Sequence, residues 1–526
     1  MEKLPKSALV TVMQHLTATD LLTCRLVSKS LGALALQPEV WRHQEVAAVR
    51  GGRREPCLCA VLRVAPCLGE VVVNETFRKP HIRALSRTKC PVAVVVIHLY
   101  QDTRNAREAA QVIRNQQALG RLRRVELKCN VNLGRLSGVD KLIRTLLAAT
   151  SALEELVVTG GVPYTLCPIE PVPHGPSLKR FTFSSSPGNP LSRPLVEAVL
   201  AGHADTLEEV DLGFSGEAPI SASTSRLLAK VTNLRKLKCQ MMQGMEAVAA
   251  CEKLTDLSIL AYSDQCHRGA VKFITQAQQL TRVNLDYRDL EGNPVIGKAL
   301  GQALVTSRSR ARLEELSIGC LSLPTPLSPL PALQQLNIMY PPKDGDELRL
   351  LLAVTPATAP ALRKLVLQVD FWRKCAHSWM HNDAVQKALA LNPSLHIQVG
   401  VYDAAQLRNK VVAVEGTSME HLPTELLEKV MGHLAVRDLL ALRLVCKRLG
   451  DVAVRPRVWR HRRLDLASAP AKPCACVVLR VAPRLRRMQL YAGSDKYHTR
   501  ALVETNCAVD EVVLHLCQQE WQDTQQ

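Results

Sequence analysis

Through the middle of the chain, leucine recurs in a six-residue pattern, LxxLxL, with Val, Ile or Phe allowed at the same positions. It reads RLRRVEL ending at Leu127, LEELVV from Leu153, LKRFTF from Leu178, LEEVDL from Leu207 and LRKLKC from Leu234. It continues as LTDLSI from Leu254, LTRVNL from Leu280, LEELSI from Leu313, LQQLNI from Leu333 and LRKLVL from Leu362. Successive starts lie 20 to 33 residues apart. The alternation within each hexamer predicts a short strand. Earlier apolar runs at Leu68–Val73 and Val92–Leu99, and a later one at Leu395–Val399, extend the series. Helical stretches fall between them, at Leu142–Ala148, Val196–Ala201, Ile296–Val305 and Leu348–Val354. A unit of one strand and one helix cannot bury its apolar face alone, so the units are expected to stack into an α/β solenoid. An ordinary α/β domain also alternates strands and helices. Ten hexamers at comparable spacing favour the stack.

The pattern changes at the two ends. Near the N-terminus Leu9, Val12, Met13 and Leu16 fall at i, i+3, i+4 and i+7 behind Pro5, which predicts one amphipathic helix. Asp20 is expected to cap a second, with Leu22, Leu26, Val27, Leu31 and Leu34 inward, and Trp41 closes the segment after Pro38. The same segment returns near the C-terminus. Residues 4–43 and 422–461 align without a gap and are identical at 22 of 40 positions. With one deletion the match runs on: Cys57, Cys59, Arg63 and Pro66 pair with Cys474, Cys476, Arg480 and Pro483, and His81, Cys90 and His98 with His498, Cys507 and His515. Met1 and Glu2 line up with Met419 and Glu420, so a tandem duplication read as one chain, its second half cut short, is the expected origin. The alternative is a genuinely two-headed protein. Forty residues of short helices bury too little surface for comfortable stability, so such a head wants a partner helix or serves as a cap on the solenoid.

Composition narrows the function. The chain has 526 residues, 47% hydrophobic and 22% charged, which suits globular structure, but only 4% aromatic, which suits many thin aliphatic layers. The net charge is +19, and Arg443–Arg487 holds thirteen Lys or Arg against two acids. Such a stretch attracts nucleic acid or an acidic partner. Trp459 is the only aromatic residue within it, so aromatic interleaving is absent and a solvated or adaptor-facing surface is the better reading. Seventeen cysteines without a short-spaced framework indicate a reducing compartment, cytoplasm or nucleus. The longest apolar run, Pro91–Ile97, is far short of the ~20 residues that span a bilayer, so no membrane association is expected.

Candidate chemistry is sparse. Cys57, Cys59, Cys67 and Cys90 do not show the spacing of a zinc site and read as small buried hydrophobes. His377 and His381 are four apart but no Glu lies between them to act as base. Phosphate loops, dinucleotide fingerprints and nucleophile elbows are missing, Gly213–Gly216 reading only GFSG. A non-catalytic protein without cofactor or metal is expected. In FWRKCAHSWMHND, Trp372, Arg373 and Trp379 are candidate substrate anchors, or else close the last repeats.

The repeats resemble leucine-rich repeats, although the usual Asn after the strand is clear only at Asn130. The head, LPxxxLxxVMxxLxxxDLLxxRLVxK followed by Trp, resembles an F-box. The second copy is closer, with Glu425 after the LP pair and LRLVCKRL entire, where the first has Ser7 and Ser28. Together they resemble F-box and leucine-rich-repeat proteins, substrate receptors of Skp/cullin/F-box ubiquitin ligases. The resemblance implies an irregular leucine-rich-repeat horseshoe flanked by two small all-helical F-box domains. The layout would be F-box at 1–46, solenoid at 55–402, linker at 403–418, second F-box at 419–464, and the start of a second repeat unit at 472–526. It implies that the heads dock a Skp adaptor, and through it a cullin scaffold, while the repeats hold an unidentified protein substrate. The adaptor face, divided with an internal core, would draw on Leu4, Pro5, Leu9, Leu16, Leu21, Leu26, Val27 and Trp41. Its second copy would draw on Leu422, Pro423, Leu427, Leu434, Leu439, Leu444, Val445 and Trp459. The competing readings are a repeat scaffold outside any ligase and a nucleic-acid binder built on 443–487.

Overall fold

A strand that alternates apolar and polar residues buries one face, and the leucine three residues ahead of each central leucine needs the same interior. Parallel strands stacked side by side satisfy both demands. The structure, a computed structural model, describes residues 5–47, 57–73, 79–99, 104–129, 139–160, 177–184, 193–213, 222–261, 266–287, 294–319, 329–339, 354–369, 396–401, 424–434, 436, 439–440, 447–466, 478–479, 481–491 and 505–515. It divides into two compact units, residues 1–334 with 357–361, and residues 335–356 with 362–526.

Among its described residues the first unit holds eleven strands: β1 (Glu45–Ala47), β2 (Leu68–Val73), β3 (Val92–Leu99), β4 (Arg124–Cys129), β5 (Glu155–Gly160), β6 (Arg180–Ser184), β7 (Glu209–Leu212), β8 (Lys236–Gln240), β9 (Asp256–Ala261), β10 (Arg282–Tyr287) and β11 (Glu315–Gly319). They lie in chain order and every neighbouring pair is parallel. Their register builds an unbroken apolar column: Val46, Val71, Val95, Val125, Leu156, Phe181, Val210, Leu237, Leu257, Val283 and Leu316 are successive cross-strand partners. From Leu122 to Ile318, none of the three apolar positions in any hexamer is more than 4% exposed. This is the α/β alternation of a leucine-rich solenoid.

The spacing of the hexamers decides what connects them. The 31 residues from Leu122 to Leu153 leave room for the helix Val139–Ala149, and the 33 from Leu280 to Leu313 for Pro294–Thr306. The 20 residues from Leu234 to Leu254 permit only a 3-10 turn, Met245–Ala250. The stretches expected to be helical at Leu142–Ala148, Val196–Ala201 and Ile296–Val305 lie inside helices. Leu348–Val354 lies outside the described residues except for its last position, and so does Asn130. One glycine is obligatory. Gly160 ends β5 at φ 96°, and a Cβ there would lie 1.7 Å from the Cys129 carbonyl oxygen.

In the second unit β12 (Gln335–Met339), β13 (Lys364–Val369) and β14 (His396–Val401) pair in parallel. Further along, β15 (Arg463–Leu466), β16 (Arg484–Tyr491) and β17 (Ala508–His515) form a separate three-stranded parallel sheet. Among the described residues no helix is long and apolar enough to cross a membrane, and all ten described cysteines are free thiols.

Candidate functional site

The N-terminal head consists of α1 (Lys6–Gln14), α2 (Ala18–Val27), α3 (Lys29–Ala35) and the single turn α4 (Pro38–Trp41). Pro5 fixes the entry to α1, and Leu9 and Met13 turn inward from it. The cap of α2 is Thr17, one turn before the residue expected from sequence. Its hydroxyl accepts from the Asp20 amide at 3.2 Å and donates to the Asp20 carboxylate at 2.7 Å. Asp20 is therefore a first-turn acid that the cap residue holds from both its amide and its carboxylate, since the helix begins at Ala18. Ser28 caps α3 in the same way, accepting from the Leu31 amide. Trp41 is buried, and its indole N–H donates to the Ala35 carbonyl at 2.5 Å. The Gln44 amide closes the C-terminal end of α1, donating to Leu16 O at 2.9 Å. The Gln44 carbonyl meanwhile accepts from the amides of Gly69 and Glu70. One residue thus ties the head to the first strands of the sheet.

The second head repeats this plan in Thr424–His433, Lys447–Ala453 and Pro456–Trp459. Trp459 is buried, and its indole donates to Ala453 O at 2.6 Å. Arg462 stands where the first head has Gln44. Its guanidinium donates to the carbonyls of Leu434 at 2.7 Å and Met431 at 2.8 Å, and lies 5.7 Å from the Trp459 ring centroid. The following strands copy the first unit's register. Leu464 faces Met488 and Leu485 faces Val509, as Val46 faces Val71 and Leu68 faces Val92. Trp459, Leu464, Leu485 and Met488 share one core with the second head's helices.

The residues named from sequence sort by exposure. Leu9, Leu21 and Trp41, and likewise Leu427, Leu439 and Trp459, are buried in their own heads and build the cores. Leu16 and Leu434 are half-buried. Pro5 is exposed, and Leu26 and Val27 stand at 86% and 67% exposure. Sequence reasoning missed Val12, 51% exposed, and Leu36, because a helix pattern alone placed Val12 on the inner stripe. In the second head Val430, the counterpart of Val12, and Leu426 are exposed as well. Among the described residues, six of the seven exposed large hydrophobics belong to the two heads, the seventh being Val512. Leu4, Leu422, Pro423, Leu444 and Val445 lie outside the described residues, as do Trp372, Arg373, Trp379, His377 and His381.

On the polar side of the first unit's sheet the register places charges in strict alternation. Arg124, Glu155, Arg180, Glu209, Lys236, Asp256, Arg282 and Glu315 are successive cross-strand partners. Ion pairs join Arg180 to Glu155 at 3.2 Å and Arg282 to Asp256 at 3.2 Å. Beside the ladder Glu126 is nearly buried. Burial alone would raise its carboxyl, but Lys128 at 2.9 Å and Arg124 at 2.7 Å outweigh that and hold it below the usual range. Along this column the alternating charges offset one another.

The cysteines divide against the sequence expectation. Cys67 and Cys90 are buried as expected, and burial pushes the Cys90 thiol up to about 12. Cys57 is exposed and Cys59 half-buried, because the first precedes the helix Leu58–Val64 and the second sits in its first turn. The Arg443–Arg487 segment engages local acids: Arg455 and Arg457 meet Glu428, Arg484 meets Asp510, and Arg487 meets Glu511.

No curated protein matches the chain. A family model described as F-box-like matches residues 1–45 and 419–465, the two heads that the geometry singles out.

Proposed function

We propose that this chain is the substrate-recognition subunit of a Skp/cullin/F-box ubiquitin ligase. Its F-box-like heads dock the Skp adaptor, which connects to the cullin, and its repeats bind a protein substrate. The observation that carries this reading is the concentration of exposed aliphatic side chains on the heads, Leu26 and Val27 above all. Their cores close without these residues, so the exposed set is free for a partner. No catalytic group is required, since such a receptor acts by raising the local concentration of a substrate lysine near the conjugating enzyme. The substrate face is the polar side of the repeat sheet, and Trp372, Arg373 and Trp379 remain candidate anchors on sequence grounds. Compartment follows the partner, in cytoplasm or nucleus.

The test is adaptor capture by the full chain. Leu26→Asp with Val27→Asp is expected to remove capture by the first head with no change in thermal unfolding. Leu444→Asp with Val445→Asp does the same for the second, and all four changes together abolish it. An intact, folded chain that never captures the adaptor makes the heads solenoid caps and the protein a repeat scaffold. The nucleic-acid reading is disfavoured by the ion pairs that engage Arg455, Arg457, Arg484 and Arg487.

A further inference from the structure

Beyond the docking surfaces, the molecule brings together three residues that neither head nor repeat pattern requires. The ligand atoms of Cys57, Cys59 and His81 all lie within 4.8 Å of one another, the group among the described residues whose donors converge as a metal site needs. Cys57 Sγ is 3.6 Å from His81 Nε2. A tetrahedral zinc with bonds of about 2.3 Å to sulfur and about 2.05 Å to nitrogen sets those two donors roughly 3.6 Å apart. The elements that carry them are two neighbouring helices, Leu58–Val64 and Lys79–Leu85. Cys57 is exposed, so the site is open to an incoming ion.

The duplication adds an independent observation. Cys474, Cys476 and His498 occupy the corresponding positions of the second copy. The copies agree closely around the cysteines, eight of the ten positions from 57 to 66 being identical, and diverge from 67 to 80, where only Leu68 and Lys79 are matched, by Leu485 and Lys496. Cys67, one of the four cysteines first weighed as ligands, is replaced there by Arg484. Each member of the convergent trio is kept.

We infer that Cys57, Cys59 and His81 form a binding site for a borderline-soft d10 cation, zinc(II), with a fourth position left to water or an incoming donor. Two thiolates and an imidazole are the donor set that ion prefers. One pair already has the tetrahedral spacing, and all three donor atoms lie within 4.8 Å of one another. The ion would clasp two successive repeat helices directly behind the first head.

Cobalt(II) titration of the reduced, metal-free full chain, carrying Cys474→Ala so that only the first trio counts, tests this. The expected result is one tightly held cobalt with the strong visible bands of a tetrahedral site and a sulfur-to-cobalt charge-transfer band, displaced by zinc. Cys57→Ala and His81→Asn are each expected to weaken binding at least about tenfold and to lose the band. His81→Cys is expected to retain it. Zinc should raise the unfolding temperature of the parent chain and leave that of Cys57→Ala unmoved, which separates a lost ligand from a lost fold. The inference is overturned by cobalt binding that is unchanged in both single variants, or by the weak spectrum of a six-coordinate, oxygen-bound ion. Neither result bears on adaptor capture, which is read from the heads alone.

Discussion

The two heads solve one folding problem with different side chains. Both bury a Trp whose indole donates to a carbonyl six residues back, Trp41 to Ala35 and Trp459 to Ala453. Both feed into a parallel strand with the same register. The supports around that shared core diverge. The first head secures its helix starts with Thr17 and Ser28, whose aligned residues in the second copy are Ala435 and Cys446. The second secures a helix end with the Arg462 guanidinium, where the first uses the Gln44 amide. It also adds the ion pair of Arg455 with Glu428 at 2.7 Å. Even the sheet exteriors are inverted: Glu45 faces Glu70 in the first copy and Arg463 faces Arg487 at the same place in the second. What persists is the interior; what drifts is how helix ends and surfaces are satisfied.

The largest effect should fall on what is common. Trp41→Ala and Trp459→Ala are each expected to cost about 3–5 kcal/mol, unfold the head concerned and abolish its adaptor capture, as followed by thermal unfolding and pull-down. Unequal costs would break the claim of a shared core. Next comes the divergent clamp. Arg462→Ala is expected to cost about 1–3 kcal/mol in chemical denaturation, because it strips the hydrogen bonds to Leu434 and Met431, whereas Arg462→Gln, with the amide that the first head uses at Gln44, should cost less. The caps follow. Thr17→Ala should destabilise the first head by about 1 kcal/mol in thermal unfolding.

The smallest effect concerns the facing carboxylates. Burial raises the Glu70 carboxyl, and Glu45 across the strand adds to the shift. A raised folded value means that ionised Glu70 burdens the folded state at neutral pH. Stability from this group is therefore fully present below the unfolded carboxylate range and falls as pH rises through the folded value. Glu70→Gln should raise stability at pH 7 by a few tenths of a kcal/mol, and by less near pH 4, in thermal melts at both pH values.

The strands were legible because each LxxLxL hexamer carries its own burial pattern within six residues. So were the heads, because a run such as Leu9, Val12, Met13 and Leu16 declares a helix locally. Which face of that helix meets solvent was not, since Val12 is excluded from the core only by how α3 and α4 pack. The cap at Thr17 was missed by three positions because Asp20 is an equally good capping residue and only backbone geometry separates the two. The juxtaposition of Cys57 with His81 was illegible, since they stand 24 positions apart and a cysteine pair with a single residue between its members falls short of the usual ligand spacing. The charge ladder was hidden for the same reason: alternation appears only once seven registers are known.

That ladder has a further consequence for how the repeats find their order. Were one repeat skipped during folding, the strands on either side of it would meet, each facing its second neighbour. Arg124 would then face Arg180, Glu155 would face Glu209, Lys236 would face Arg282 and Asp256 would face Glu315. Every such contact sets like against like, at a cost of roughly 0.2–1 kcal/mol each. The apolar column offers no such discrimination, because one aliphatic layer fits the next almost anywhere. The alternating charges therefore act as a parity check on assembly, accepting a neighbour that differs by one repeat and rejecting a neighbour that differs by two.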